Sequence, residues 1–142
     1  VNELVELRDI LPSLIDLATG DELDQVDGKS FKPLMFKDSN PEDVDWRKYI
    51  HGEHVLGDYS NQYIVGEEWK YIWMTQTGIE QLFHLKEDPE EKHDLSEISE
   101  YQEILGKMRA LLIDELKDRP EGFVEENELV AGKKQSAKIK KN

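Results

Sequence analysis

Between residues 46 and 86 the chain carries four short runs rich in aromatic and β-branched residues, and a single long helical stripe follows them. Few architectures accept that order. The runs are WRKYIHGEHVL, NQYIV, WKYIWM and EQLFHL, each bounded by turn residues. Gly66-Glu67-Glu68 joins the second run to the third, and Thr75–Gly78 joins the third to the fourth. In WKYIWM, Trp69, Tyr71 and Trp73 share one face of a strand, with Lys70, Ile72 and Met74 opposite. Beyond the charged loop around Pro89, Tyr101, Ile104, Leu105, Met108, Leu111, Leu112 and Leu116 recur at helical spacing. Ser99-x-x-Gln102 reads as a capping box and Arg119-Pro120 as the stop. A helix of about 17 residues spans ~26 Å, enough to cross four strands at ~4.8 Å spacing. The predicted fold class is α+β, a four-stranded antiparallel sheet packed against a long C-terminal helix.

Upstream, LVELRDILPSLIDLA (4–18) places Leu7, Ile10, Leu11, Leu14, Ile15 and Ala18 on one helical face. Pro12 is tolerated only near a helix start, so the helix is expected to begin around Arg8 or Asp9 and to end at a Gly20 cap. Six apolar positions need a packing partner, and this chain offers few. The chain opens on Val1, directly in that segment, which reads as a piece cut from a longer protein, although N-terminal processing would give the same start. Residues 20–45 are turn-rich, with Asp27-Gly28 and Asn40-Pro41 as turn dipeptides and Phe31, Leu34, Met35 and Phe36 as anchors of a short helical turn.

Composition removes whole classes of function. The 142 residues carry a net charge of −14. The last eleven hold five lysines and no acid, so residues 1–131 carry −19. Such a field repels phosphate backbones and anionic lipid, and neither a nucleic-acid nor a membrane-surface partner is expected. With no cysteine there is no disulfide, no thiolate zinc site and no Cys nucleophile. No apolar run approaches the ~20 residues of a transmembrane helix. Residues 121–142 are read as a mobile tail.

The local cluster with chemical potential is His51-Gly52-Glu53-His54. On a strand His51 and Glu53 share one face and His54 takes the other. They could be a polar strand end whose side chains satisfy one another, hydrogen-bonding groups of a substrate pocket, or metal ligands, of which this motif supplies two at most. The aromatics Trp46, Tyr49, Tyr63, Trp69, Tyr71 and Trp73 read as core. The acidic runs at 21–27 and 87–91 lack the spacing of a calcium loop. No nucleophile elbow, phosphate-binding Gly loop or dinucleotide fingerprint occurs, so no catalytic residue and no metal ligand is assigned in this chain.

Taken in order, several segments resemble the sulfatases. VELRDILPSLIDLATG resembles their late helix, approximately "DI-x-PTLLDLAG". Val26-Asp27-Gly28-Lys29-Ser30-Phe31 resembles the "DG-x-S-L" segment that follows it. WKYIWMTQTGIEQLFHLKEDPEEKHDL resembles "KYIW…G-x-EQLFDL-x-x-DP-x-E-x-x-NL" near the end of bacterial arylsulfatases, with His84 in place of the usual Asp and Asp94 in place of the usual Asn. The resemblance covers residues 5–120. It implies the alkaline phosphatase superfamily, with a large α/β catalytic domain followed by a smaller subdomain of this α+β architecture. Residues 1–20 would then be the last helix of the missing catalytic domain, 21–45 a connecting segment, and 46–120 the C-terminal subdomain.

The resemblance further implies sulfate-ester hydrolysis by the intact protein, using a formylglycine nucleophile made within C/S-x-P-x-R and a divalent cation, usually calcium. Neither is expected in this chain. The nearest imitation, Ser39-Asn40-Pro41-Glu42-Asp43, ends in Asp where Arg is needed. What would remain here is substrate selection, by Arg47, His51, Glu53 and His54. The implied partners are the missing N-terminal catalytic domain and a sulfated small molecule or glycan, with self-association through exposed apolar surface as an alternative fate of the isolated chain. Periplasmic or secreted placement is a family expectation. The competing readings are the C-terminal part of a related phosphodiesterase or phosphatase, and a stand-alone acidic interaction module.

Overall fold

The computed structural model describes residues 3–36 and 44–134 of the chain. It divides into two compact units, Val1–Ile50 and His51–Asn142. The predicted Ser39–Asp43 imitation lies outside the described residues.

In the first unit a 3₁₀ turn, Leu7–Asp9, leads into helix α1, Ile10–Thr19. Pro12 therefore falls in the first helical turn, where backbone amides have no intrahelical acceptor to lose. Gly20 caps the helix with φ +80°, its N–H bonding the Asp16 carbonyl at 2.9 Å. The buried side of α1 differs from the apolar stripe read in the sequence. It consists of Pro12, Ser13 and Asp16, preceded by the fully buried Asp9. Leu7 is 86 % exposed, and Ile10, Leu11, Leu14 and Leu17 are exposed too.

The reason is a set of hydrogen bonds to the following segment. The Lys29 amide donates to Asp9 Oδ1 (2.9 Å), and the Phe31 amide to Ser13 Oγ (3.0 Å). Ser30 Oγ donates to Asp16 Oδ2 (2.7 Å), and Lys32 Nζ to Asp16 Oδ1 (2.6 Å). Gly28 allows this segment to lie directly on the Arg8 backbone. The short helix α2, Lys32–Met35, then forms where the sequence predicts a turn, with Pro33 in its first turn.

The second unit is α+β. Strands β1 (Tyr49–His54), β2 (Asn61–Gly66), β3 (Trp69–Met74) and β4 (Glu80–His84) form a sheet in the order β1-β2-β3-β4. Its antiparallel register pairs Gln62 with Trp73, Ile64 with Tyr71, and Tyr71 with Leu82. One face therefore carries Ile64, Tyr71, Trp73 and Leu82, all buried. Helix α3, Gln102–Leu116, packs on that face with Leu105, Met108, Leu112, Ile113 and Leu116. The helix starts where predicted, with different bonds. Ser99 opens a 3₁₀ turn, and the Gln102 side-chain amide donates to the carbonyls of Ser96 (2.7 Å) and Ile98 (3.2 Å) rather than closing a capping box.

The outer edge of β4 is occupied. The Leu82 amide donates to Asp94 Oδ1 (3.0 Å), and the Leu95 amide donates to the Leu82 carbonyl (2.8 Å).

The stretch read as a mobile tail starts as structure. Strands β5 (Val124–Glu125) and β6 (Glu128–Leu129) form a hairpin whose two turn residues, Glu126 and Asn127, have φ of 51° and 65°. Phe123 is fully buried, edge-on to Trp73 with ring centroids 5.7 Å apart. The Gly132 amide bonds the Thr75 carbonyl at 2.9 Å. The composition of the last residues hid this single aromatic anchor. Residues 135–142 lie outside the described residues. No helix among the described residues is long and apolar enough to cross a membrane.

Candidate functional site

β1 carries His51 and Glu53 on the same side, because both reach Gln62 of the neighbouring strand. His51 Nε2 lies 2.8 Å from Gln62 Oε1, and Gln62 Nε2 donates to Glu53 Oε2 at 3.0 Å. Gln62 has 0 % exposure and sits on the helix-facing side of β2 beside Ile64. The chain of contacts continues to Arg119, just past α3. Its Nη2 donates to Glu53 Oε2 (2.7 Å) and to Glu121 Oε1 (3.2 Å). The intervening Gly52 faces the other way, where the Tyr63 ring crosses β1. A Cβ on Gly52 would sit 2.2 Å from that ring.

Burial pushes the Glu53 carboxyl up, but the Gln62 amide and the Arg119 guanidinium outweigh it and hold Glu53 below the usual carboxylate range. Glu53 is thus an anion at neutral pH, with Arg119 as its counter-charge. Among the described residues no hydrogen bond reaches Nδ1 of His51, so the half-buried imidazole is the member of the chain with capacity to spare. His54, next along the strand, is exposed.

Arg47 belongs to the first unit and is already engaged. Its Nη1 bonds Asp9 Oδ2 (2.6 Å) and Glu6 Oε1 (2.7 Å), and its Nη2 bonds Asp9 Oδ1 (2.7 Å). Burial pushes the Asp9 carboxyl up, while Arg47 and the amides of Lys29 and Glu6 draw it further down, to a net value below the ordinary one. The structure therefore brings His51 and Glu53 together through Gln62, leaves His54 open, and gives Arg47 a carboxylate of its own.

A second polar cluster lines a cleft of about 500 Å³ beside Trp73 and Gly106. Arg109 Nη2 donates to Glu80 Oε2 at 2.7 Å, and Tyr71 Oη donates to Glu80 Oε1 at 2.5 Å. Burial and the Glu80 carboxylate push the Tyr71 phenol well above its ordinary range, so it stays protonated as the donor. Among the described residues no group of three or more His, Asp or Glu side chains could hold a metal ion.

Residues 1–118 match the family model described as N-sulphoglucosamine sulphohydrolase, C-terminal. The chain belongs to this sulfatase C-terminal family. It is 43 % identical over 131 residues to an arylsulfatase of Clostridium perfringens (strain 13 / Type A), a match covering 92 % of this chain and 26 % of the relative. It is 32 % identical over 111 residues to a Delta 4,5-hexuronate-2-O-sulfatase of Bacteroides thetaiotaomicron, covering 75 % of the chain and 22 % of the relative. A solved 2-O GAG sulfatase superposes with a TM-score of 0.67 at 28 % identity, over 81 % of this chain and 25 % of that one. The chain thus spans about a quarter of the length of these sulfatases.

In this sulfatase domain the two departures from the family pattern keep one chemical role. Asp94 Oδ1 accepts from the amides of Leu82 (3.0 Å) and Ser96 (2.9 Å), which an Asn side-chain oxygen would do equally. His84 Nδ1 accepts from the Glu87 amide (3.2 Å), where an Asp would offer a carboxylate oxygen. Both replacements conserve an acceptor.

The sequence reading missed Gln62 and Arg119. Gln62 left a signal, a polar residue in phase with Ile64 on the core side of a strand. Arg119 left none, since its partner Glu53 is 66 residues away in the chain.

Proposed function

We propose that this chain is the C-terminal part of a sulfatase that hydrolyses a sulfate ester in the intact protein, and that its contribution is to shape substrate selection. The 43 % identity to an arylsulfatase over 92 % of the chain carries the reading. The exposed apolar side of α1 supports the assignment of residues 1–20 to a larger catalytic domain, with 21–45 connecting and 46–120 as the C-terminal subdomain, because an apolar face of this size is ordinarily covered.

Calcium and formylglycine belong to the family's chemistry. The donor groups among the described residues do not fit a calcium site. Bond-breaking is assigned to residues outside this chain, which alone should be inactive. Within the chain, His51 and Glu53 are the best placed of the four candidate substrate-binding residues, since Gln62 and Arg119 hold them in fixed positions and His51 retains hydrogen-bonding capacity. His54 is a peripheral contact. Arg47 would act through the Asp9 pair, because its guanidinium is held there.

The test is turnover of 4-nitrophenyl sulfate by the intact protein, with 4-nitrophenyl phosphate and its diester as comparison substrates. Preferential sulfate hydrolysis is expected. Preferential phosphate or phosphodiester hydrolysis would move the protein to the related phosphoryl-transfer enzymes, and no hydrolysis at all would favour an interaction module. Within the pocket, His51→Ala should raise KM or lower kcat/KM, and unchanged kinetics would remove His51 from substrate binding.

A further inference from the structure

Glu53, Gln62 and His51 form a directional chain, and its direction dictates what His51 can recognise. An ionised carboxylate only accepts hydrogen bonds, so the group that Gln62 turns towards Glu53 must be its NH₂, as the 3.0 Å Nε2–Oε2 contact has it. Arg119 Nη2, 2.7 Å from the same Glu53 oxygen, keeps that carboxylate charged and in place. The other end of the amide, Oε1, is a carbonyl oxygen and also only accepts. It lies 2.8 Å from His51 Nε2, which must therefore carry the proton. Complete burial of Gln62 makes reversal costly, since a flipped amide would set its oxygen against Glu53 and its NH₂ against an N–H.

We propose that Gln62 is a positioning residue that fixes His51 in the Nε2–H form, so that the neutral imidazole presents Nδ1 as a hydrogen-bond acceptor and takes a substrate hydroxyl or amide N–H rather than a sulfate oxygen. The role of Gln62 and the proton on Nε2 stand on the geometry, and the unprotonated Nδ1 is what the first measurement below tests. The ligand class rests on the reading that His51 lines the substrate pocket. It makes His51 a reader of the group that carries the sulfate, and favours hydroxyl-bearing substrates such as sugars over bare aryl sulfates.

Two measurements test it. The first is nitrogen NMR of His51 in the 142-residue chain at about pH 8. Expected are a pyrrole-type signal at Nε2 and an imine-type signal at Nδ1. Gln62→Met, which removes the acceptor towards His51, should give mixed tautomers. An Nδ1–H tautomer in the wild-type chain overturns the proposal outright, whether or not the variant folds.

The second is the ratio of kcat/KM for a sulfated hexose to that for 4-nitrophenyl sulfate, which carries no hydroxyl, in the intact enzyme. Loss of one neutral hydrogen bond should lower this ratio about three- to tenfold in Gln62→Met and in His51→Ala. If only His51→Ala lowers it, Gln62 is not the positioning residue. If both variants lose the two activities equally, His51 acts on the sulfate and the hydroxyl assignment fails. If His51→Ala leaves the ratio and both rate constants as they were, the pocket reading itself fails while the NMR result stands on its own.

Discussion

Gly28 lies against the main chain of Arg8 so closely that a Cβ placed on it would come 1.9 Å from the Arg8 carbonyl oxygen and 2.4 Å from its carbon. The obstacle is backbone, which cannot swing aside as a side-chain tip can. The "DG" of the sulfatase-like segment is therefore a packing requirement. It brings residues 29–32 within reach of Asp9, Ser13 and Asp16.

Gly28→Ala should accordingly cost about 3 kcal/mol, the upper end for overpacking, because the whole 28–32 segment must lift. Urea denaturation followed by Trp46 fluorescence is the measurement. A cost near zero would mean that the segment docks in another way.

Asp9→Asn leaves Arg47 with a neutral amide and with the Glu6 carboxylate still 2.7 Å away. Because Glu6 continues to compensate the guanidinium, the loss at pH 7 should fall below the about 3–5 kcal/mol of a fully orphaned buried charge. The pH dependence has a definite sign. Asp9 is held below its ordinary carboxylate range when folded, so its contribution is complete above the unfolded value of about 4 and is lost as pH falls through the folded value. The stability gap between wild type and Asp9→Asn should narrow on acidification. A gap that widens below pH 4 would contradict this account.

Phe123→Ala removes an aromatic ring with no exposed surface, edge-on to Trp73. About 3–5 kcal/mol should be lost from the second unit. Truncation after Pro120 should be at least as damaging. Thermal melts of the two variants decide whether the hairpin is part of the fold.

Replacing Leu7, Leu11 and Leu14 by Ser should leave the stability of the isolated chain nearly unchanged, since all three are exposed in it. In the intact protein the same changes should cost several kcal/mol if a further domain covers that face. Sedimentation of the wild-type and triple-Ser chains would also show whether the face drives self-association.

How much of this was legible follows from the range of the interactions. The four strands and α3 were readable because period-2 and helical patterns report burial within one element, as Tyr71 and Trp73 do. In α1 the apolar stripe was real, but the side buried in this chain is set by Asp9, Ser13 and Asp16, whose partners lie some 14 to 20 residues away. No periodicity encodes such bonds. His51 and Glu53 were found because strand geometry forces them onto one face. Gln62 and Arg119 come from β2 and from beyond α3, and only the folded sheet joins them. Phe123 was one aromatic in a polar, lysine-ending stretch, too little to outweigh the composition around it.

The closure of β4 by Asp94 and Leu95 bears on how this molecule meets copies of itself. A stray strand arriving at that border would find the middle donor and the middle acceptor already taken by the chain's own loop. Recruitment by main-chain pairing is thereby discouraged on one flank. If these sheets ever template one another when crowded or partly unfolded, growth should start from the β1 flank, and a proline on the outward side of β1 should suppress it more than any change along β4.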